Sequence, residues 1–221
     1  MKKNIILSVL ASTLIFSFCS CKNNSSVPSQ PTTNPISLGD VYYPSGIPET
    51  AAELEEKCDI MVQGILLEGS EEVLETMDLG LPEPLVTYGA TISPLKITKV
   101  IKGGLEVGET INLAEPYYKK MVDGEETTVI FAGREYMGLY NPCQIGKEYL
   151  LCLDEFNDIP DHPSDTYGLM WRELGRYPVV SSFSRFFVDV DGMTNEDLDF
   201  REGDATAYKE IYKGVINLYM R

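Results

Sequence analysis

The chain has one histidine, His162, and one tryptophan, Trp171, among 221 residues. Any nucleophile system of the Ser-His or Cys-His kind must therefore run through His162. That residue sits in NDIPDHPSDT, between two prolines in an acidic run, so a solvated loop histidine is expected there. Cysteine is scarce as well. Beyond residue 21 only Cys58, Cys143 and Cys152 remain, at no metal-type spacing. A zinc site would have to gather them with His162 without a preorganising pair. Their odd number argues against a disulfide framework, which leaves one bridge, Cys58 with Cys143, open. Cys152, inside YLLCL, reads as a buried core thiol because a free cysteine packs as a small hydrophobe. There is no phosphate-cradling glycine loop, no nucleophile elbow and no paired cysteine motif. No catalytic, cofactor-binding or metal-binding residue is assigned, and no cofactor is expected.

What is present begins at the N-terminus. Lys2 and Lys3 precede the apolar stretch Ile5 to Phe18, 14 residues long and too short for a spanning helix, which wants about 18. The stretch runs into Cys19-Ser20-Cys21, and apolar character then stops through the tract from Lys22 to Asn34. This layout resembles a bacterial lipoprotein signal, in which the cysteine after the cleavage point carries diacylglycerol. Cys21 follows the small Ser20 while Cys19 follows Phe18, so the resemblance implies lipidation at Cys21; Phe18, three positions upstream, stands where leucine is usual. Two or more acyl chains give stable anchoring. The expectation is a signal peptide over 1–20, a flexible tether over 21–38 rich in Ser, Asn, Thr and Pro, and one domain over 39–221 at the extracytoplasmic face of the cell membrane.

Without its first twenty residues the chain carries 16 basic against 34 acidic side chains, a net charge of −18. Such a field repels phosphate backbones and anionic headgroups, which excludes nucleic acid as a partner and assigns membrane attachment to the tether. A protein, peptide or glycan ligand is compatible with it.

Along the domain, ETAAELEEKC after Pro48 predicts a short helix, and DIMVQGILLE (59–68) a central strand interrupted at Gly64. VTYGATIS and LKITKVIKGG carry apolar residues in opposite phase on either side of Pro94, which predicts a bulge there. ETINLAE, the segment after the Asp123-Gly124 turn, and GKEYLLCLDE predict further strands, and TYGLMW, RYPVVSS and FSRFFVDVDG a terminal hairpin region. Tyr208, Ile211, Tyr212, Val215 and Leu218 or Tyr219 recur every three or four residues in a C-terminal amphipathic helix capped by Asp204. The fold class expected is mostly β: a small antiparallel OB-like barrel or sandwich flanked by a short N-terminal helix and the C-terminal one.

Three segments, AAELEEKCDIMVQGILLE (51–68), PLKITKVIKGGLEVGETINL (94–113) and IGKEYLLCL (145–153), resemble in that order a pattern in uncharacterised surface lipoproteins of Gram-positive bacteria. They are also distantly similar to the netrin-like, OB-type barrel of tissue inhibitors of metalloproteinases. That resemblance implies a fold more than an activity. The Cys-x-Cys spelling at 19–21 matches the start of those inhibitors, but protease inhibition would require cleavage before Cys19 and an unmodified amine. Two further patches carry possible chemistry. DVDGMTNEDLD (189–199) concentrates oxygen ligands from Asp189 to Asp199, yet an EF-hand loop placed on Gly192 would begin at Phe187 and end at Leu198, neither a ligand. Tyr117 and Tyr118, expected in a loop, could join Trp171 in a sugar or peptide platform, with core packing as the simpler expectation. The function expected is a non-enzymatic surface binding or interaction module; the alternative is an envelope hydrolase using carboxylates only.

Overall fold

Thr50, with its side chain accepting from the Glu53 amide, starts the first helix, α1 (Ala51–Lys57), and Leu54 and Ala51 form its buried face. The computed structural model describes residues 36–37, 46–131, 139–157, 162–180 and 188–220, all within one compact unit. Ten strands are described: β1 (Ile36–Ser37), β2 (Ile60–Leu66), β3 (Glu71–Met77), β4 (Leu85–Lys102), β5 (Thr110–Glu115), β6 (Tyr117–Val122), β7 (Glu125–Ile130), β8 (Glu148–Glu155), β9 (Thr166–Leu169) and β10 (Arg176–Pro178). A second helix, α2 (Thr206–Tyr219), closes the described chain.

Five strands close on themselves: β8 pairs β2, β2 pairs β4, β4 pairs β5, β5 pairs β9 and β9 returns to β8. Counted along the chain these are the first, second, third, fifth and fourth barrel strands, the Greek-key order of an OB-like barrel. The architecture is the expected one, mostly β with a helix near each end. It is a barrel, not a sandwich, and one seam departs from antiparallel pairing: β5 and β9 run parallel.

The barrel interior is filled by Val62, Leu66, Leu95, Ile97, Ile111, Leu113, Leu151 and Leu153. The outer face of the β2–β8–β10 wall is covered by both helices, so Met61, Leu150, Cys152 and Tyr177 pack against Leu54, Tyr208, Ile211, Tyr212 and Val215. This is why YLLCL is apolar at every position: β8 is enclosed on both faces. Where α1 and α2 cross, a Cβ on Gly214 would lie 2.7 Å from that of Ala51, so the helical glycine is required by close approach. Leu218 is exposed and Tyr219 buried, which settles the phase of the helix.

Two expectations about strands need correction. Register runs unbroken from Ser93 through Pro94 to Leu95 opposite β5, so Pro94 is not at a bulge and both segments belong to one 18-residue strand. The switch of phase has another origin. Leu95 and Ile97 face the barrel interior, whereas Ala90 and Ile92 pack outside it with Ala114 and Phe156. Pro94 also lies where β4 changes its neighbour from β3 to β2, a position that tolerates a missing N–H. Register slips instead between Met61 and Val62, between Gln63 and Gly64 as the glycine suggested, and between Glu75 and Thr76.

TYGLMW and RYPVVSS do not form a hairpin with each other; β9 and β10 both pair with the same edge of β8, β9 opposite its end and β10 opposite its start. The chain crosses between them through Trp171 and Arg172, both in the left-handed region, and a short 3-10 turn ending at Gly175. A Cβ on Gly175 would fall 1.7 Å from the Met170 carbonyl oxygen, so no other residue fits this crossing. Of FSRFFVDVDG, 181–187 lie outside the described residues, and 190–192 form a turn.

β1, β7 and β6 make a separate small sheet, with β6 and β7 joined at Asp123-Gly124, both at positive φ as a two-residue hairpin requires. Tyr117 and Tyr118 therefore lie in a strand, not the expected loop.

Candidate functional site

Cys21, the signal segment and the tether up to residue 35 lie outside the described residues; Ile36 and Ser37, at the end of the stretch read as tether, pair in parallel with Val129 and Ile130 of β7. No helix among the described residues is long and apolar enough to cross a membrane.

The residues singled out for chemistry are dispersed. His162 lies in a loop, its Nδ1 next to the Pro163 carbonyl and its ring edge-on to Phe156. Cys58, Cys143 and Cys152 are free thiols and buried. Cys58 does not face Cys143: it lies with Cys152 under the helices, while Cys143 belongs to the barrel interior. The thiol contact with Cys58, and then burial, push Cys152 well above the ordinary thiol range. Burial, with the nearby Glu115, does the same to Cys143. Neither thiol is set up as a nucleophile.

Four of the five acids of 189–199 have separate duties. Asp189 accepts from the Gly192 amide, Asp191 pairs with Lys213, and Asp197 accepts from the amide and hydroxyl of Thr194. Asp199 is almost fully enclosed. Its carboxylate accepts from Tyr149 Oη at 2.7 Å and Gln144 Nε2 at 2.5 Å and meets Lys147 at 2.7 Å. Among the described residues no group of three or more His, Cys, Asp or Glu side chains could hold a metal ion.

Asp199 belongs to a polar plug at one end of the barrel. Arg176 donates to its backbone carbonyl at 2.5 Å and places its guanidinium over the rings of Tyr140, Tyr149 and Phe200, 5.5–5.6 Å from each centroid. Next to it Tyr140 donates to Glu115 at 2.5 Å, and the Cys143 amide donates to the same oxygen at 2.9 Å. Burial raises the Tyr140 phenol well above its usual range, so it stays a donor. With Glu115 and Arg176 wholly enclosed, the plug is closed to any substrate and fixes the barrel end. Trp171 is likewise buried, its indole donating to the Gly46 carbonyl at 3.0 Å, so it cannot join an exposed platform.

The surface feature that stands out is an arm. β3 and its connection to β4 project between the first and second barrel strands, and the β6–β7 hairpin packs beside them: the Lys119 amide donates to Glu72 at 2.8 Å, and Lys120 meets Glu83 at 3.6 Å. Met77 lies opposite Leu85 in the β3–β4 ladder, with Leu79 and Leu81 in the loop between them and Met121 and Val122 following Lys120 on the other hairpin. Leu79, Leu81 and Met121 are 54%, 59% and 61% exposed, far more than apolar side chains of a folded core. Of the eleven large hydrophobic residues exposed among the described residues, seven lie on this arm. Sequence reasoning missed it. EEVLETM lacks strand alternation, its Val73, Leu74 and Met77 falling at helix-like spacing instead, and the leucines after it stand among Gly80, Pro82 and Pro84, which breaks any period.

No family model matches the chain, and no curated protein matches it.

Proposed function

We propose that this protein is a lipid-anchored module, held at the extracytoplasmic face of the cell membrane through acyl chains on Cys21, that docks another envelope component through the arm and catalyses no reaction. The likeness of its leader and barrel segments to surface lipoproteins of Gram-positive bacteria supports the anchor. One observation carries the docking reading: exposed apolar side chains are concentrated on two adjoining hairpin tips instead of being scattered. The position agrees with it, because OB barrels use the connection between their first two strands as a ligand-binding loop. The acidic surface disfavours nucleic acid, and a protein or peptide suits exposed leucine and methionine better than a glycan, which needs an accessible aromatic face. The rival, a carboxylate-only hydrolase, needs two acids facing one accessible substrate; Glu115 and Asp199 are instead enclosed and engaged.

Two experiments test the reading. Cys21→Ala should release the protein from vesicles after a carbonate wash and abolish a glyceride adduct in the mass of the mature chain. A photo-crosslinking residue at Leu81 of the anchored protein should give one discrete adduct that the same group at Val107, exposed on a different loop, does not. Persistent sedimentation of the alanine variant refutes the anchor; identical adducts at the two positions, or none at Leu81, refute docking through the arm.

A further inference from the structure

We infer that the partner docks by adding an extended, lysine- or arginine-bearing strand to the free edge of β3. This deepens the docking reading and rests on it. β3 is seven residues long and pairs with a single neighbour, β4, among the described residues. Along it only Val73 is even half-buried. A strand with one neighbour turns alternate N–H and C=O groups toward water, which is a template for another chain.

The other edge nearby is closed by side chains. On β6 the Lys119 amide is taken by the Glu72 carboxylate and the Tyr117 carbonyl by the Thr91 hydroxyl, at 2.8 Å each. On β3 the one comparable contact among the described residues, Thr87 Oγ1 to the Glu75 carbonyl, comes from the β4 side.

Charge selects the occupant. Residues 71–85 carry five acids and no base. Acids on an edge deter pairing with neutral or acidic strands, including a second copy of this chain, and leave cationic strands as the ones admitted. Leu79 and Leu81, exposed just past the strand, would cover apolar side chains of the incoming segment. The same acids set the arm against an anionic bilayer.

The test uses the full chain in detergent micelles and a nine-residue peptide alternating lysine and valine. A twin peptide, N-methylated at alternate residues, has equal charge and cannot pair. The unmethylated peptide should slow amide exchange across Glu71–Met77 by about tenfold or more, as ladder formation requires, and leave β8 unchanged. The methylated twin should not, and Glu71→Lys with Glu75→Lys should weaken binding by about tenfold. Equal binding of the two peptides, or protection elsewhere, overturns strand addition. Protection of the arm by vesicles of phosphatidylglycerol and phosphatidylcholine without peptide overturns it in favour of a lipid surface. A discrete crosslink at Leu81 without peptide protection removes strand addition while docking stands; loss of both removes both.

Discussion

Along β8 every residue from Tyr149 to Leu153 is enclosed, whereas along β3 every residue except Val73 is exposed, although both strands have regular pairing. The difference lies in what covers them. β8 has β2 along one edge, β9 and β10 sharing the other, the barrel interior on one face and the helices on its second face. β3 has β4 alone. Backbone hydrogen bonds contribute only modestly in net terms, so a strand's stability comes chiefly from the apolar area packed over its faces. The barrel wall is thus the part of the molecule that holds the fold, and the arm is free to carry contact.

The largest effect expected is in the plug. Asp199→Ala leaves the guanidinium of Arg176 buried without its carboxylate, and loss of one partner of a buried pair costs about 3–5 kcal/mol. Denaturant unfolding should show this. If the loss were under about 1 kcal/mol, the level of a surface pair, the plug would not be holding the barrel end.

Next in size is the helix crossing. Gly214→Ala forces a methyl against Ala51 and should cost about 1–3 kcal/mol, an overpacking effect. Adding Ala51→Gly should restore much of it, and a double-mutant cycle that is merely additive would argue against direct contact there.

A smaller, pH-dependent effect concerns Glu173 in the 3-10 turn. Burial raises its carboxyl above the ordinary carboxylate range, ahead of the opposing influence of the nearby backbone amides and of Arg172 and Arg176. The unfolded chain then loses this proton first as pH rises. Its contribution is fully present below the unfolded value and falls away as pH climbs through the folded one. Glu173→Gln should therefore flatten the fall in melting temperature from the ordinary carboxylate range upward. An unchanged profile would mean that the carboxyl is not held in this way.

The smallest effect belongs to the arm. Leu79→Ser with Met121→Ser should change stability by no more than about 0.5 kcal/mol, as for exposed positions, while removing the crosslink formed from position 81. A drop of several degrees in the unfolding midpoint would make these residues part of the core and erase the contrast.

The legible parts of the sequence were those where burial imposes a period. Tyr208, Ile211, Tyr212 and Val215 mark the helical face that covers the wall, and YLLCL marks a strand enclosed on both sides. Pro94 misled because one strand buries opposite faces in its two halves, and a change of covering layer looks in sequence like a change of register. Asp199 was legible as an acid among acids. Only the fold brings it beside Arg176, Tyr149 and Lys147, none nearer than 23 residues in sequence. β3 shows no alternation, since a strand exposed at every residue but Val73 is under little demand to alternate.

Native-state amide exchange across the whole chain tests this division most directly. The account predicts that amides of β2 and β8 exchange only through global unfolding, while those of β3 that face away from β4 exchange almost as fast as in an unstructured peptide. Protection of Glu71–Met77 equal to that of Tyr149–Leu153 in the isolated protein would contradict it.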